Sequence, residues 1–230
     1  MKYNKDIIKA EFIERPNRFH ANVKIEDKII KVHVPNTGRC REILISGCTV
    51  FLRKEDNPTR KTPFDLVAAI KDNKLISIDS QIPNKVVDEA LKNKKIEELN
   101  KYVNILREKT YGKSRFDFKI STEEGFEYFL EVKGVTLEEH GHSRFPDAPT
   151  ERGTKHILEL VEAKKEGYGA GILFLIQLEE VKSFKPNDVT DPKFAEALRY
   201  AKDNGVDILA YNCKVAEDSI ELNERIEIIL

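Results

Sequence analysis

Gly171-Ile172-Leu173-Phe174-Leu175-Ile176 is apolar at every position. Strand side chains alternate between two faces, so a uniformly apolar strand needs cover on both. The chain must therefore build a sheet with packing layers on either side, and the flanking segments supply them. Thr150 is placed to cap a helix whose apolar stripe is Ile157, Leu160 and Val161 and which ends near Gly167. Asp191-Pro192 is a cap and first-turn pair that opens another helix through Phe194, Leu198 and Ala201 to Gly205, and Val206 to Val215 reads as a last long strand. Upstream, Asn84 is the expected cap of a helix after Pro83, with Val86, Val87, Ala90 and Leu91 on one face. Ile96 to Leu99 adds a helical turn and Tyr102 to Arg107 a strand, whereas Val135 to Pro149 reads as a polar loop. Helices on both faces of a mixed sheet is the economical packing of this order.

Two strands of that sheet carry charge inside apolar surroundings. Ser114-Arg115-Phe116-Asp117-Phe118 and Tyr128-Phe129-Leu130-Glu131-Val132-Lys133 read as the arms of a β-hairpin. By alternation Glu131 and Lys133 share a face, Val132 takes the other, and Asp117 turns away from Phe116 and Phe118. Paired in register, the arms bring two carboxylates and an ammonium to one spot. Close carboxylates repel, and the remedies are a shared proton or a bound cation. Oxygen ligands favour a hard ion such as magnesium or manganese, and such an ion beside a lysine suits cleavage of a phosphodiester bond. A solvated strand face can carry the same three residue types. The apolar setting of both acids argues for the site.

The first third reads as β. Expected strands are Ile7 to Ile13, Arg18 to Ile25, Ile29 to Val34, Cys48 to Arg53, Phe64 to Lys71 and Lys74 to Ile78. Pro35-Asn36-Thr37-Gly38 forms a loop of turn formers, and residues 56–63 make a further break. Short strands with one longer loop suggest a small OB-like barrel. The expected organisation is α+β, with a barrel domain over residues 1–82 and an α/β domain over 83–230.

The 230 residues include 39 basic and 40 acidic ones, a formal net charge of -1, so contact with nucleic acid has to use a local basic surface. Cys40, Cys48 and Cys213 are odd in number and form no C-x-x-C pair, which supports neither a disulfide framework nor a zinc ribbon. His140-Gly141-His142 lacks a third nitrogen or sulfur ligand nearby in sequence and reads as a polar loop. The N-terminus has no signal-peptide core and no apolar run reaches membrane length, so a cytoplasmic location with no membrane partner is expected.

Beyond the hairpin, the chain carries Pro35-Asn36-Thr37-Gly38-Arg39, Gln81-Ile82-Pro83-Asn84, Tyr111-Gly112 and Glu131-Val132-Lys133-Gly134-Val135-Thr136-Leu137. Phe145-Pro146-Asp147-Ala148-Pro149-Thr150-Glu151-Arg152-Gly153, Lys155-His156 and Gly205-Val206-Asp207-Ile208-Leu209-Ala210-Tyr211 follow. Over nearly the whole chain this resembles the sugar fermentation stimulation protein A family, SfsA, and the hairpin order resembles the PD-(D/E)XK nuclease core, with Phe116 where that name has proline. The resemblance implies an OB-like domain, a nuclease-like domain, DNA as partner and a regulatory link to sugar metabolism.

In this reading Asp117 and Glu131 hold magnesium or manganese, Lys133 orients the attacking water or stabilises developing charge, and Glu89 is either the supporting acid that many such nucleases place on the first helix or a solvated helix acid. Arg152 and Lys155, on the first turns of the helix after Thr150, could form a charged turn with a Glu151–Lys155 pair; the resemblance favours contact with DNA phosphate. On the barrel, Arg15, Arg18, Phe19, His20, Lys24, Arg39 and Arg41 mix basic and aromatic groups. Arg18 and Arg39 are its expected phosphate contacts, with Gly38 admitting a close approach of backbone. No helix-turn-helix is evident, so binding without strong base specificity is expected, and no obligate protein partner is implied. A magnesium-dependent DNA endonuclease is the alternative function.

Overall fold

The computed structural model describes residues 1–36 and 38–230; Thr37, within the expected turn-former loop, lies outside the described residues. Strands β1 (Ile7–Asn17), β2 (His20–Ile25), β3 (Lys28–His33), β4 (Thr49–Lys54), β5 (Phe64–Lys71) and β6 (Lys74–Ser77) form one sheet in the order β3-β2-β1-β4-β5-β6. A further pairing of β3 with β5, at His33 and Asp65, curls it into a small OB-like barrel. Alternate residues such as Ala21, Val23, Val32, Val50, Leu52 and Leu66 fill its interior.

The chain leaves the barrel into α1 (Pro83–Lys92) and a 3₁₀ turn (Glu97–Leu99). It then forms β7 (Asn104–Tyr111), β8 (Ser114–Ser121), β9 (Glu127–Val135), β10 (Glu138–Glu139) and β11 (His142–Phe145). Next come α2 (Glu151–Lys165), β12 (Gly169–Ile176), β13 (Ser183–Pro186), α3 (Pro192–Asp203), β14 (Asp207–Ala216), β15 (Ser219–Arg225) and β16 (Glu227–Ile228). The main sheet has the order β15-β14-β12-β9-β8-β7. Its three middle strands, β14, β12 and β9, are parallel to one another, and the outer pairs are antiparallel.

All eight residues of β12 are buried, as an apolar strand requires. Ile172, Phe174 and Ile176 join the apolar cluster that holds Ile157 and Leu160 of α2 and Phe194 and Leu198 of α3. Leu173 and Leu175 join the opposite cluster with Val86, Val87 and Ala90 of α1. The period of two thus sorts one strand between two helical layers.

Thr150 caps α2 by accepting from the Gly153 N–H at 3.0 Å, and Asp191 caps α3 by accepting from Phe194 N–H at 3.1 Å. Asp191 also accepts from the Thr150 N–H at 2.8 Å, which fixes the start of α2 against α3. Asn84 does not cap α1. Ile82 holds the cap position without a side-chain bond, Pro83 sets the first helical residue, and Asn84 lies inside the helix.

The expected polar loop after Val135 contains β10 and β11. They join β13 and β16 in a small sheet of order β10-β11-β13-β16, in which His142 pairs with Ser183. Strands of two to four residues paired across forty positions leave no local period to read. Among the described residues no helix is long and apolar enough to cross a membrane.

Candidate metal centre and nucleic-acid surface

The β8–β9 ladder runs from Ser121 opposite Glu127 to Phe118 opposite Leu130. Where it ends, the Asp117 side chain continues the connection. Its Oδ2 accepts from the Val132 backbone N–H at 2.8 Å, and its Oδ1 accepts from Asn84 Nδ2 of α1 at 2.6 Å. Asp117 is therefore held by one strand and one helix at once.

On β9, Val132 packs into the α1 cluster, and Glu131 and Lys133 share the other face. Lys133 Nζ donates to Glu131 Oε1 at 2.5 Å, and His156 of α2 contacts the same oxygen through Nδ1 at 2.6 Å. Arg152 Nε donates to His156 Nε2 at 3.4 Å. With Nε2 accepting, the ring proton belongs on Nδ1, where it is donated to the carboxylate. The cluster thus gathers Asp117, Glu131 and Lys133 and adds Asn84, His156 and Arg152.

The two acids are unequal. Burial and then the neighbouring Glu131 charge push Asp117 up from the usual carboxylate range, against the bonds from Val132 and Asn84. Burial would also raise Glu131, but the hydrogen bond from His156 and the charge and bond of Lys133 outweigh it and hold Glu131 low. Such a split marks sites where two carboxylates have different tasks.

Glu131 is 3 % exposed, and its second oxygen, Oε2, is buried without a hydrogen-bond partner. A buried anionic oxygen left unmatched is costly and calls for an explanation. The oxygen donors of Glu131 and Asp117 fit a hard divalent cation. Among the described residues no three His, Cys, Asp or Glu side chains are grouped for a metal, so such an ion would rest on two carboxylates and keep water ligands, as magnesium does.

The expected supporting acid, Glu89, is not part of the cluster. Its carboxylate pairs with the Met1 ammonium at 2.9 Å and is about half exposed. Helix α1 contributes Asn84 instead, five positions earlier and on a different side of the turn. Arg152 borders the site through His156, whereas Lys155 is drawn off by the Lys113 carbonyl at 3.1 Å and by Glu159 at 3.7 Å. His156 escaped sequence reasoning as a site residue. The available signal was its place in the buried stripe Gly153, His156, Ile157 and Leu160, where a polar ring needs a partner.

On the barrel, Arg18 and Arg39 line one cleft of about 280 Å³ with Arg15 and Arg41. Arg15 organises it. Its guanidinium donates to the carbonyls of Arg18 at 2.8 Å, Asn36 at 2.5 Å, Gly38 at 2.9 Å and Arg39 at 2.8 Å. A Cβ on Gly38 would stand 2.8 Å from Asp147 Oδ2 and 2.9 Å from Asn36 Oδ1, so any larger residue would have to push these side-chain oxygens aside. Gly38 also lines a pocket of about 200 Å³ with Ser80, Gly134 and Gln177. The residues around Gly38 thus border both the arginine cleft and a second pocket at the end of β9.

Comparison with known proteins agrees with this architecture. The family model "SfsA N-terminal OB domain" matches residues 13–78, and "Sugar fermentation stimulation protein RE domain" matches residues 81–219. The "Sugar fermentation stimulation protein homolog" of Clostridium perfringens (strain 13 / Type A) is 67% identical over 230 residues, covering 100% of both chains. That of Clostridium botulinum (strain Loch Maree / Type A3) is 66% identical over 228 residues, covering 99% of each. Among solved structures, Pyrococcus furiosus SfsA in complex with Ca2+ superposes with a TM-score of 0.89 at 30% identity and covers 100% of both chains. The chain belongs to the sugar fermentation stimulation protein family, SfsA.

Proposed function

We propose that this protein binds DNA through its phosphate backbone, without strong base specificity, and holds magnesium or manganese at Asp117 and Glu131. The observation that carries the reading is the buried, unmatched Oε2 of Glu131 next to a second carboxylate of opposite pKa tendency. The Pyrococcus furiosus relative was solved in complex with Ca2+, another hard divalent ion that takes oxygen ligands, and this supports the donor set. When bound, such an ion supplies charge neutralisation for phosphate and a more acidic water. The chain's own groups do the rest. Asn84 and the Val132 N–H aim Asp117, His156 and Lys133 fix Glu131, and Arg152 adds positive charge at the rim.

Arg18 and Arg39 extend the phosphate grip onto the barrel. The name of the relatives refers to sugar fermentation, and a regulatory DNA-binding role joins that name to this surface. The barrel over residues 1–82 and the α/β unit over 83–230 then divide the work, one gripping and the other holding the ion.

A second reading, magnesium-dependent DNA endonuclease, is favoured by the ammonium of Lys133 held beside Glu131, where it can stabilise charge on a phosphate in reaction. Titration calorimetry with Mg2+ and Mn2+ tests the first reading: Asp117→Ala should abolish the heat of binding, and unchanged affinity would remove Asp117 from the site. Plasmid incubated with Mg2+ tests the second. Cleavage by the protein and none by Lys133→Ala supports hydrolysis, while negligible cleavage by both leaves binding alone.

A further inference from the structure

We propose that the tip of the β1–β2 hairpin and the adjoining arginine cleft form a site for single-stranded polynucleotide, with Phe19 stacking an unpaired base and Arg18, Arg39 and Arg41 holding its phosphates. The inference rests on the DNA reading above and narrows it to strands whose bases are open.

Phe19 occupies a two-residue turn between the paired residues Asn17 and His20, and it is 48 % exposed. The turn is braced. Asn17 Oδ1 accepts from the backbone N–H of Phe19 at 2.9 Å and of His20 at 3.1 Å, and the Phe19 carbonyl accepts from the Val34 N–H at 2.8 Å. An aromatic ring left half in water on a fixed backbone forgoes much of the burial that would make it useful for folding. The Arg18 guanidinium sits 5.3 Å from the ring centroid, so a cation already lies against the platform.

Among the described residues, Arg18, Arg39 and Arg41 have no carboxylate within ion-pair distance, whereas Arg53, Arg60 and Arg199 are all paired. The cleft behind Phe19 is lined by these unpaired arginines and by Arg15, which is spent on the four loop carbonyls. Unpaired cations beside an exposed ring are the combination that binds single strands, because every base has a face to stack and every linkage has a phosphate. In a duplex the base faces are occupied by their neighbours, and the ring has nothing to meet. A protein partner would want a broader apolar patch, but the residues flanking Phe19 in the hairpin tip are Asn17, Arg18 and His20, and four arginines line the adjoining cleft.

Fluorescence anisotropy with the full chain, one labelled oligonucleotide and its duplex, in Ca2+ buffer, tests the proposal. The single strand should bind about tenfold tighter than the duplex, and Phe19→Ala should cost about tenfold on the single strand while moving duplex affinity less than about twofold. Phe19→Tyr should keep the preference. Equal affinity for both forms, untouched by Phe19→Ala, would overturn the inference and leave the DNA reading standing. Failure of the protein to bind either form would overturn both.

Discussion

Two buried acids, one in each half of the molecule, are built from the same materials and finished differently. Asp65 on β5 of the barrel is 4 % exposed, and both of its oxygens are matched. Oδ1 meets His33 Nδ1 at 2.9 Å and Arg60 Nη2 at 2.5 Å, and Oδ2 accepts from Arg53 Nη2 at 2.8 Å. Arg53 then spends its other nitrogens on Glu55 at 2.9 Å and Asp79 at 3.2 Å. Glu131 on β9 also has a histidine and a basic side chain, but both crowd onto Oε1 and leave Oε2 bare. A closed network stabilises or specifies a fold. A network left open by one oxygen has room for a further partner, which the proposed ion would supply. In the reading proposed above, completeness rather than composition separates the closed Asp65 cluster from the Glu131 site.

The contrast can be broken by experiment. Asp65→Asn strips two guanidinium groups of a buried partner and should destabilise the protein by about 3 kcal/mol in urea melts, while leaving cation titrations unchanged. The same acid sets a pH dependence. Burial would raise Asp65, but the bonds from Arg60 and His33 and the charges of Arg60 and Arg53 hold it low. Its stabilisation is therefore present above about pH 4 and lost as pH falls through its lower folded value. Asp79, pushed up by burial, works in the opposite sense and persists in the Asp65→Asn variant. Thermal melts from pH 7 to pH 3 should show a shallower acid-side fall in that variant, and identical slopes would remove Asp65 from the account.

Glu131→Gln keeps the shape but removes the charge, and Mn2+ affinity should fall by about a hundredfold, or about 2.7 kcal/mol. A structural role for Glu131 would instead lower the melting temperature and spare the ion. His156→Asn should weaken Mn2+ binding about tenfold through loss of a positioning bond. Glu89→Gln sharpens the comparison from the other side. It removes a half-exposed pair with Met1, should cost less than about 1 kcal/mol, and should leave Mn2+ binding unchanged.

Much of the fold was legible because its elements are locally periodic. The uniform apolarity of Gly171 to Ile176 demanded two covering layers, and the Thr150 and Asp191-Pro192 signals placed the starts of α2 and α3. The short strands β10, β11, β13 and β16 were not legible, since their pairing is settled by chain segments far apart. Within the site, alternation put Glu131 and Lys133 on one face. Asn84 was misread because the same side chain can cap a helix or reach across to a strand, and only the packing of α1 against β9 and β15 decides. Glu89 was expected from analogy with other nucleases, and the N-terminal ammonium claims it. Asp65 shows the converse limit. It stands in an apolar strand much as Asp117 does, and nothing in its neighbours along the chain reveals that its partners are already in place.

The side-chain amide of Gln177, just past the end of β12, donates to the Ser77 carbonyl at 2.9 Å, the Ser77 hydroxyl at 3.3 Å and the Asp79 carbonyl at 3.3 Å, and the Gln177 backbone carbonyl accepts from the Ser77 N–H at 3.0 Å. The exit of the barrel is thereby riveted to the central strand of the main sheet. The distance from the hairpin tip to the acids is then a fixed gauge rather than a tether, and any polymer spanning both would be measured off in constant lengths.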